Sequence, residues 1–242
     1  MVDVVGMRLR HDTDTDGVFE LSGIISPYAA DRASSLAVLL ESYHLSGIAG
    51  PELGKLFSGR IDTQSSPKSN YLSFTPGSNP GSSLDVDFHN SLTSNFTLNG
   101  FPFLSGLALA LDDKWFKRPT FESDVSGLIR RAEGNVALSE LSLKNKDYMA
   151  LRGGVSMTPN GSLSGTLEVG VHEAMIEASK INRLDVMFSP PKDGFRWVSL
   201  KIGGTAAAPT DNFKQLFESA ATPEAAAPAN KIPSFEELTN PE

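Results

Sequence analysis

Apolar and polar residues alternate along most of the second half of the chain. Leu84, Val86 and Phe88 fall on one face of LDVDFHN, and Phe96 and Leu98 on one face of NFTLNGFPF, which predicts neighbouring antiparallel strands. The alternation resumes in FESDVSGLIRRAEGNVALSELSLKN and in DYMALRGGVSMTPNGSLSGTLEVGV, with very short connections. Within the latter, TPNGS at 158 to 162 carries Asn160 and Gly161, which tolerate the positive φ angles of a type I′ turn and so predict a hairpin. On its two arms Met149, Leu151, Val155 and Met157 share one face, and Leu163, Leu167, Val169 and Val171 share the face that the turn brings alongside. Arg152, Ser156, Ser162, Ser164 and Glu168 line the opposite side, so one surface of the sheet is apolar and the other wet.

Helical spacing is expected in two places. In ISPYAADRASSLAVLLESYHL, Ser26 suits a cap and Pro27 a first turn, and Ala33, Leu36, Ala37 and Leu40 form one stripe, which predicts a helix over 27–43. In HEAMIEASKINRLDVMF, Met175, Ala178 and Ile181, followed by Leu184 or Asp185, predict another over 173–188, ended by SPPKDG. LSGLALALDDKWFKRP fits a short helix or a strand. FRWVSLKIGGT reads as a final strand, with Phe195, Trp197 and Ser199 opposite Arg196, Val198 and Leu200, and APTDNFKQLFESA as a short terminal helix. The stretch from Gly47 to Gly81 is dense in Gly, Pro, Ser and Asn, and a boundary falls most naturally near TPGSNPGSS. The expected organisation is therefore a strand-helix-strand part at 1–80, an antiparallel sheet domain at 81–218 and a tail at 219–242. The tail is rich in Ala, Pro and Glu and lacks the apolar density to fold by itself, which points to disorder or a tether. The fold class is α+β and β-rich: a curved antiparallel meander with two or three short helices.

Composition narrows the function. The 242 residues are 40% hydrophobic, enough for a sizeable core. A net charge of -8 with no basic stripe argues against nucleic acid as a partner, since phosphate binding needs clustered Lys and Arg. Cysteine is absent, which removes disulfides, thiolate metal sites and Cys nucleophiles, and fits either the cytoplasm or a bacterial envelope. No stretch of the chain reads as a signal peptide or a transmembrane segment. Because the sequence opens directly in strand-like alternation, it is expected to be a piece of a longer protein with any anchor upstream.

Candidate chemistry is sparse. HDTDTDG at 11 to 17 matches the start of a calcium loop, with Asp12, Asp14 and Asp16 before Gly17, but the twelfth position, where a bidentate Glu is needed, is Gly23. A polar hairpin turn between MRLR and VFEL explains it better. His172 and Glu173 begin like a zinc-protease motif whose second histidine is replaced by Ile176. GSLSG at 161 to 165 has Leu163 where a nucleophile elbow needs Ser. His11, His44 and His89 are scattered, and the pairs Asp85 with Asp87 and Asp112 with Asp113 suit solvated strand edges and turns. Asn95 and Asn160 stand in glycosylation-type triplets, which recur by chance. Neither a catalytic site nor a metal or cofactor site is expected, and a hydrolase with dispersed carboxylates is the weakest reading.

The apolar face of the predicted sheet has two interpretations: a core covered by helices or a second sheet, or an open groove for lipid. NVALSELSLKN, DYMALRGGVSMTPNGSLSGTLEVGV and FRWVSLKIGGTAAAPTDNF together resemble the C-terminal region of AsmA-like bacterial envelope proteins, including a closing "GT…P" segment at Gly204, Thr205 and Pro209. The resemblance covers a little over half the chain. It implies a non-catalytic periplasmic β-groove module, anchored to the inner membrane, that contacts phospholipid or envelope-assembly proteins in outer-membrane biogenesis or lipid transport. On that reading the groove would be lined by Met149, Leu151, Val155, Met157, Leu163, Leu167 and Val169. The alternative is a protein-protein interaction or scaffold domain whose sheet is fully covered, with the helices at 27–43 and 173–188 burying that face.

Overall fold

The structure, a computed structural model, describes residues 2–9, 17–25, 34–64, 70–75 and 81–220. The strands are β1 (Val2–Leu9), β2 (Val18–Ile25), β3 (Ser34–Glu41), β4 (Tyr43–His44), β5 (Phe57–Ser58), β6 (Arg60–Thr63), β7 (Tyr71–Thr75), β8 (Gly81–Asn90), β9 (Phe96–Leu98), β10 (Thr120–Phe121), β11 (Val125–Ala132), β12 (Asn135–Lys144), β13 (Met149–Met157), β14 (Leu163–His172), β15 (Phe195–Gly204) and β16 (Pro209–Asp211). The helices are α1 (Leu45–Ala49), α2 (Pro51–Leu56), α3 (Pro102–Ala110), α4 (Glu173–Ser179), α5 (Asn182–Met187) and α6 (Phe213–Ser219), with a 3-10 turn at Lys114–Lys117. The protein is β-rich, and one large antiparallel sheet that does not close on itself dominates it.

That sheet runs β1-β2-β3-β7-β8-β11-β12-β13-β14-β15-β16, with β4 and β6 attached beside β8. From β11 to β16 it is a meander, as the close spacing of alternating runs predicts. Pairing is continuous across residue 80, since β7 and β6 both pair with β8. The ladder slips between Ser126 and Leu128 and between Leu138 and Leu141, where Glu140 takes a φ of 52°. Such bulges bend a strand and raise its local twist.

The region expected as a helix over 27–43 is corrected by the structure: Ser34–Glu41 is a strand inside the sheet, paired with β2 on one side and β7 on the other. Leu36, Val38 and Leu40 are buried while Ala37, Leu39 and Glu41 are exposed, a period of two that the stripe through Leu36, Ala37 and Leu40 overlooked. β2 pairs along Ser35 to Glu41 and β7 along Ser34 to Ala37, after which the Val38 amide donates to the Asn70 carbonyl, and this tertiary pairing overrides the helix preference of Leu and Ala. Ser26, Pro27 and Ala33 lie outside the described residues.

A second correction concerns β8 and β9, which are not neighbours. Both edges of β8 are taken, by β11 on one side and by β7 and β6 on the other. The chain therefore leaves the large sheet after Asn90, and β9 joins β5 and β10 in a separate three-stranded sheet. Helical content is also more divided than expected. The helix over 173–188 is two, α4 and α5, broken where Lys180 adopts a left-handed φ of 53°.

The hairpin at TPNGS is present, with Met157 paired to Leu163. Its turn differs from type I′: Gly161 has a φ of 81°, but Asn160 does not join it at positive φ. Pro159 pins its own φ near -65°, which suits the first central position of an ordinary turn. The Gly161 amide donates to the Thr158 carbonyl, and Gly161 then supplies the left-handed step that returns the chain to β14. The "GT…P" segment is likewise a tight connection: Gly204 pairs with Pro209 across β15 and β16, with a φ of 77°. A Cβ on Gly204 would lie 2.5 Å from the Ala208 carbonyl oxygen, so glycine is required there.

Candidate functional site

The predicted groove residues are brought together on one sheet face by the register, which sets Met149 opposite Val171, Leu151 opposite Val169, Val155 opposite Gly165 and Met157 opposite Leu163. That face is not an open surface. Met149, Leu151, Leu167 and Val169 have no exposed area, Val155 and Leu163 are buried, and Met157 is partly buried. They belong to one continuous core with Leu45 and Ile48 of α1, Leu53 of α2, Leu107 of α3, Ile176 of α4 and Leu184 of α5. The helices lie over the face because each carries an apolar stripe that has no other place to go. Six of these seven side chains are therefore inside the core, and Met157 packs against it at the end of the hairpin.

The other chemistry read from the sequence stays dispersed. Asp85 bonds the Arg130 guanidinium at 2.6 Å across β8 and β11, and this bond with the attraction of the carboxylate raises the already high pKa of Arg130. Asp113 caps the 3-10 turn through the Trp115 amide, and His172 accepts from the Ala174 amide at the start of α4. These are local structural roles. His11, Asp12, Asp14 and Asp16 lie outside the described residues, but β1 and β2, on either side of them, pair as a hairpin through Leu9 and Phe19. Among the described residues no group of three or more His, Asp or Glu could hold a metal ion, and no helix is long and apolar enough to cross a membrane.

A cavity is found instead where three helices meet at the carboxyl-terminal end of the sheet. A groove of about 600 Å³ lies between α3, α5 and α6. Its placement follows from a single carboxylate. Asp211, at the end of β16, accepts from the Phe103 amide at 2.6 Å and from the Phe213 amide at 3.0 Å, so it ties the first turns of α3 and α6 to the same point. Gly106 lets the helices close up, since a Cβ there would stand 2.7 Å from the Phe213 ring. Phe103, Leu104, Leu107 and Ala108 of α3 face the core. The remaining side of α3, with Gly106, Leu109 and Ala110, faces the groove.

The far wall comes from α6 and the residue before α5. Phe213 and Phe217, four apart on α6, stack with centroids 6.3 Å apart, and Ile181 lies beside them. Arg183 sits 5.9 Å above the Phe217 ring and Lys214 stands on the rim. Among the described residues Lys214 has only a loose pair with Glu218, at 3.7 Å and largely exposed, and Arg183 has no carboxylate partner. Leu109 is 85% exposed at the lip, an apolar side chain with nothing over it. The site can therefore take an apolar body in its floor and a negative group at its rim. Sequence reasoning missed it, although the Phe213 and Phe217 spacing within NFKQLFES was visible. No family model, curated protein or solved structure matches this chain.

Proposed function

We propose that this chain is a non-catalytic binding module of the bacterial cell envelope that holds an acyl chain of a phospholipid in the groove between α3, α5 and α6. The observation that carries the reading is the groove itself: its volume of about 600 Å³ falls within the range of small-molecule sites, its floor is aliphatic and aromatic, and its charged lining is Arg183 and Lys214 with Glu218 and the helix-capping Asp211. An acyl chain would lie along Ile181, Phe213 and Phe217, and the phosphate would meet Arg183 and Lys214. The AsmA-like pattern supports the envelope setting, with the module on the periplasmic side of an inner-membrane-anchored protein engaged in outer-membrane biogenesis or phospholipid transport. The ligand enters between helices, in place of the open sheet face that the alternation alone would offer.

A second reading, a scaffold or protein-protein interaction domain, is favoured by the complete burial of Met149, Leu151, Leu167 and Val169 in a core shared with residues of the helices. Native mass spectrometry of the protein incubated with phosphatidylglycerol distinguishes the two. The lipid reading expects a bound phospholipid that Leu109→Glu removes, with circular dichroism unchanged because Leu109 is 85% exposed. A protein that stays lipid-free at saturating phospholipid supports the scaffold.

A further inference from the structure

The groove has a neighbour that is part of the same chain. Helix α6, which forms its far wall, ends at Ser219, and 22 residues follow from Ala221 to Glu242. Those residues divide sharply by composition. ATPEAAAPANK, at 221 to 231, is a spacer of small residues and prolines with no large apolar side chain. IPSFEEL, at 232 to 238, holds all three large apolar residues of the tail: Ile232, Phe235 and Leu238. A spacer followed by a short apolar motif is the pattern of a tethered peptide, not of an uninterrupted low-complexity tail.

We infer that the segment Ile232–Leu238 is the resident occupant of the groove, docking there in competition with external lipid. Several features on each side fit one another. Ser234 and Glu237 have the spacing of a capping box, and Pro233 stands just ahead of it. Phe235 and Leu238 stand three apart in this segment. The groove offers a matching aromatic and aliphatic floor in Ile181, Phe213 and Phe217. Glu236 and Glu237 stand between them, and the groove supplies Arg183, which has no carboxylate partner among the described residues, and Lys214, which is loosely paired with Glu218. Leu109, 85% exposed at the lip, is the side chain the occupant would cover.

Reach is no obstacle. An eleven-residue spacer extends to roughly 35 Å at about 3.1–3.3 Å per residue, and helix α6 is only about 10 Å long. A tether of this length holds its motif at an effective concentration on the order of millimolar. A three-residue anchor can therefore occupy the site without high intrinsic affinity. Lipid enters by displacing it, which makes the tail a threshold device. The competition rests on the lipid reading of the site; the docking itself does not.

The chain has no cysteine, so Thr239→Cys in the full chain gives a single position for a nitroxide just past the docking segment. The expected result is paramagnetic broadening of the Leu109 and Ile181 methyl resonances that disappears when Phe235→Asp and Leu238→Asp are added. Broadening that is absent, or that survives the double substitution, overturns the docking. Broadening transferred to an unlabelled chain in a mixed sample overturns it in favour of a second copy. In parallel, cis-parinaric acid is titrated into the full chain and into the Phe235→Asp, Leu238→Asp variant, where about tenfold tighter binding is expected once the tethered competitor is gone. Broadening with no fatty-acid binding by either protein leaves the docking standing and sinks the lipid reading. Equal binding by both, without broadening, does the reverse.

Discussion

Leu151→Ala tests whether the covered face of β13 is a core. Leu151 has no exposed area and lies between Leu143 of β12 and Val169 of β14, which are themselves buried. The substitution removes three carbons, or about 2.4 kcal/mol at about 0.8 kcal/mol per methylene. Neighbours locked in ladders on both sides cannot collapse into the space. A residual cavity of roughly 50 Å³ adds about 1 kcal/mol at about 24 cal/mol per Å³. The expected loss is therefore about 3–4 kcal/mol, read as a fall of about 1–2 M in the urea midpoint with the slope unchanged. Leu109→Ala provides the contrast: at 85% exposure it is expected to change stability by less than about 0.5 kcal/mol. A Leu151→Ala protein that loses less than about 1 kcal/mol would mean that the helices do not cover this face in solution, and the reasoning from burial would fail.

Other substitutions probe the sheet and its outer surface. Gly165→Ala would place a Cβ 2.3 Å from the Gly154 carbonyl oxygen and 2.9 Å from the Val155 Cα, both backbone atoms, so calorimetry should show a loss above about 2 kcal/mol. Gly161→Ala, by contrast, meets nothing within 4 Å and carries only the cost of a φ of 81°, about 1 kcal/mol. Asp85→Asn breaks the pair with Arg130, whose side chain is 63% exposed, and should change stability by less than about 1 kcal/mol, with the difference vanishing in high salt. Gly170→Ala would press on the Trp197 ring at 3.1 Å and disturb its stacking under Arg152 at 4.6 Å, which the tryptophan emission spectrum should report.

The sheet was legible from Val125 onward because, apart from the ladder of β11 on β8, the pairings there join consecutive strands, so local alternation and short turns carry the register. Leu84, Val86 and Phe88 also show their face plainly, but the partners of β8 come from both directions along the chain, and nothing local says that its edges are full. The strand Ser34–Glu41 was misread for a related reason. Leu, Ala and Glu favour helix, and only the ladders to β2 and β7 decide otherwise. The face through Met149, Leu151 and Leu167 was visible as apolar, but alternation is the same whether the cover is protein or lipid. The groove was not legible at all, because its walls come from α3 and from α5 and α6, separated by most of the meander.

Asp211 makes that distance concrete, since it joins residues 108 apart in the sequence, and it yields the last prediction. One carboxylate accepts from the first turns of both α3 and α6, so Asp211→Ala removes two caps in one step. Each cap is worth about 0.5–2 kcal/mol, and neither helix has another side-chain cap. A stability loss of about 2 kcal/mol is expected in urea titration. The larger consequence falls on the groove, whose width depends on both helix termini being held at one point. Parinaric acid binding should weaken by more than tenfold in the folded variant, whereas Lys214→Ala, which removes a rim charge and no cap, should lower phospholipid binding at unchanged stability. If Asp211→Ala loses stability but binds fatty acid as tightly as before, the groove is not positioned by this carboxylate, and the two helices are fixed by their packing on the core alone.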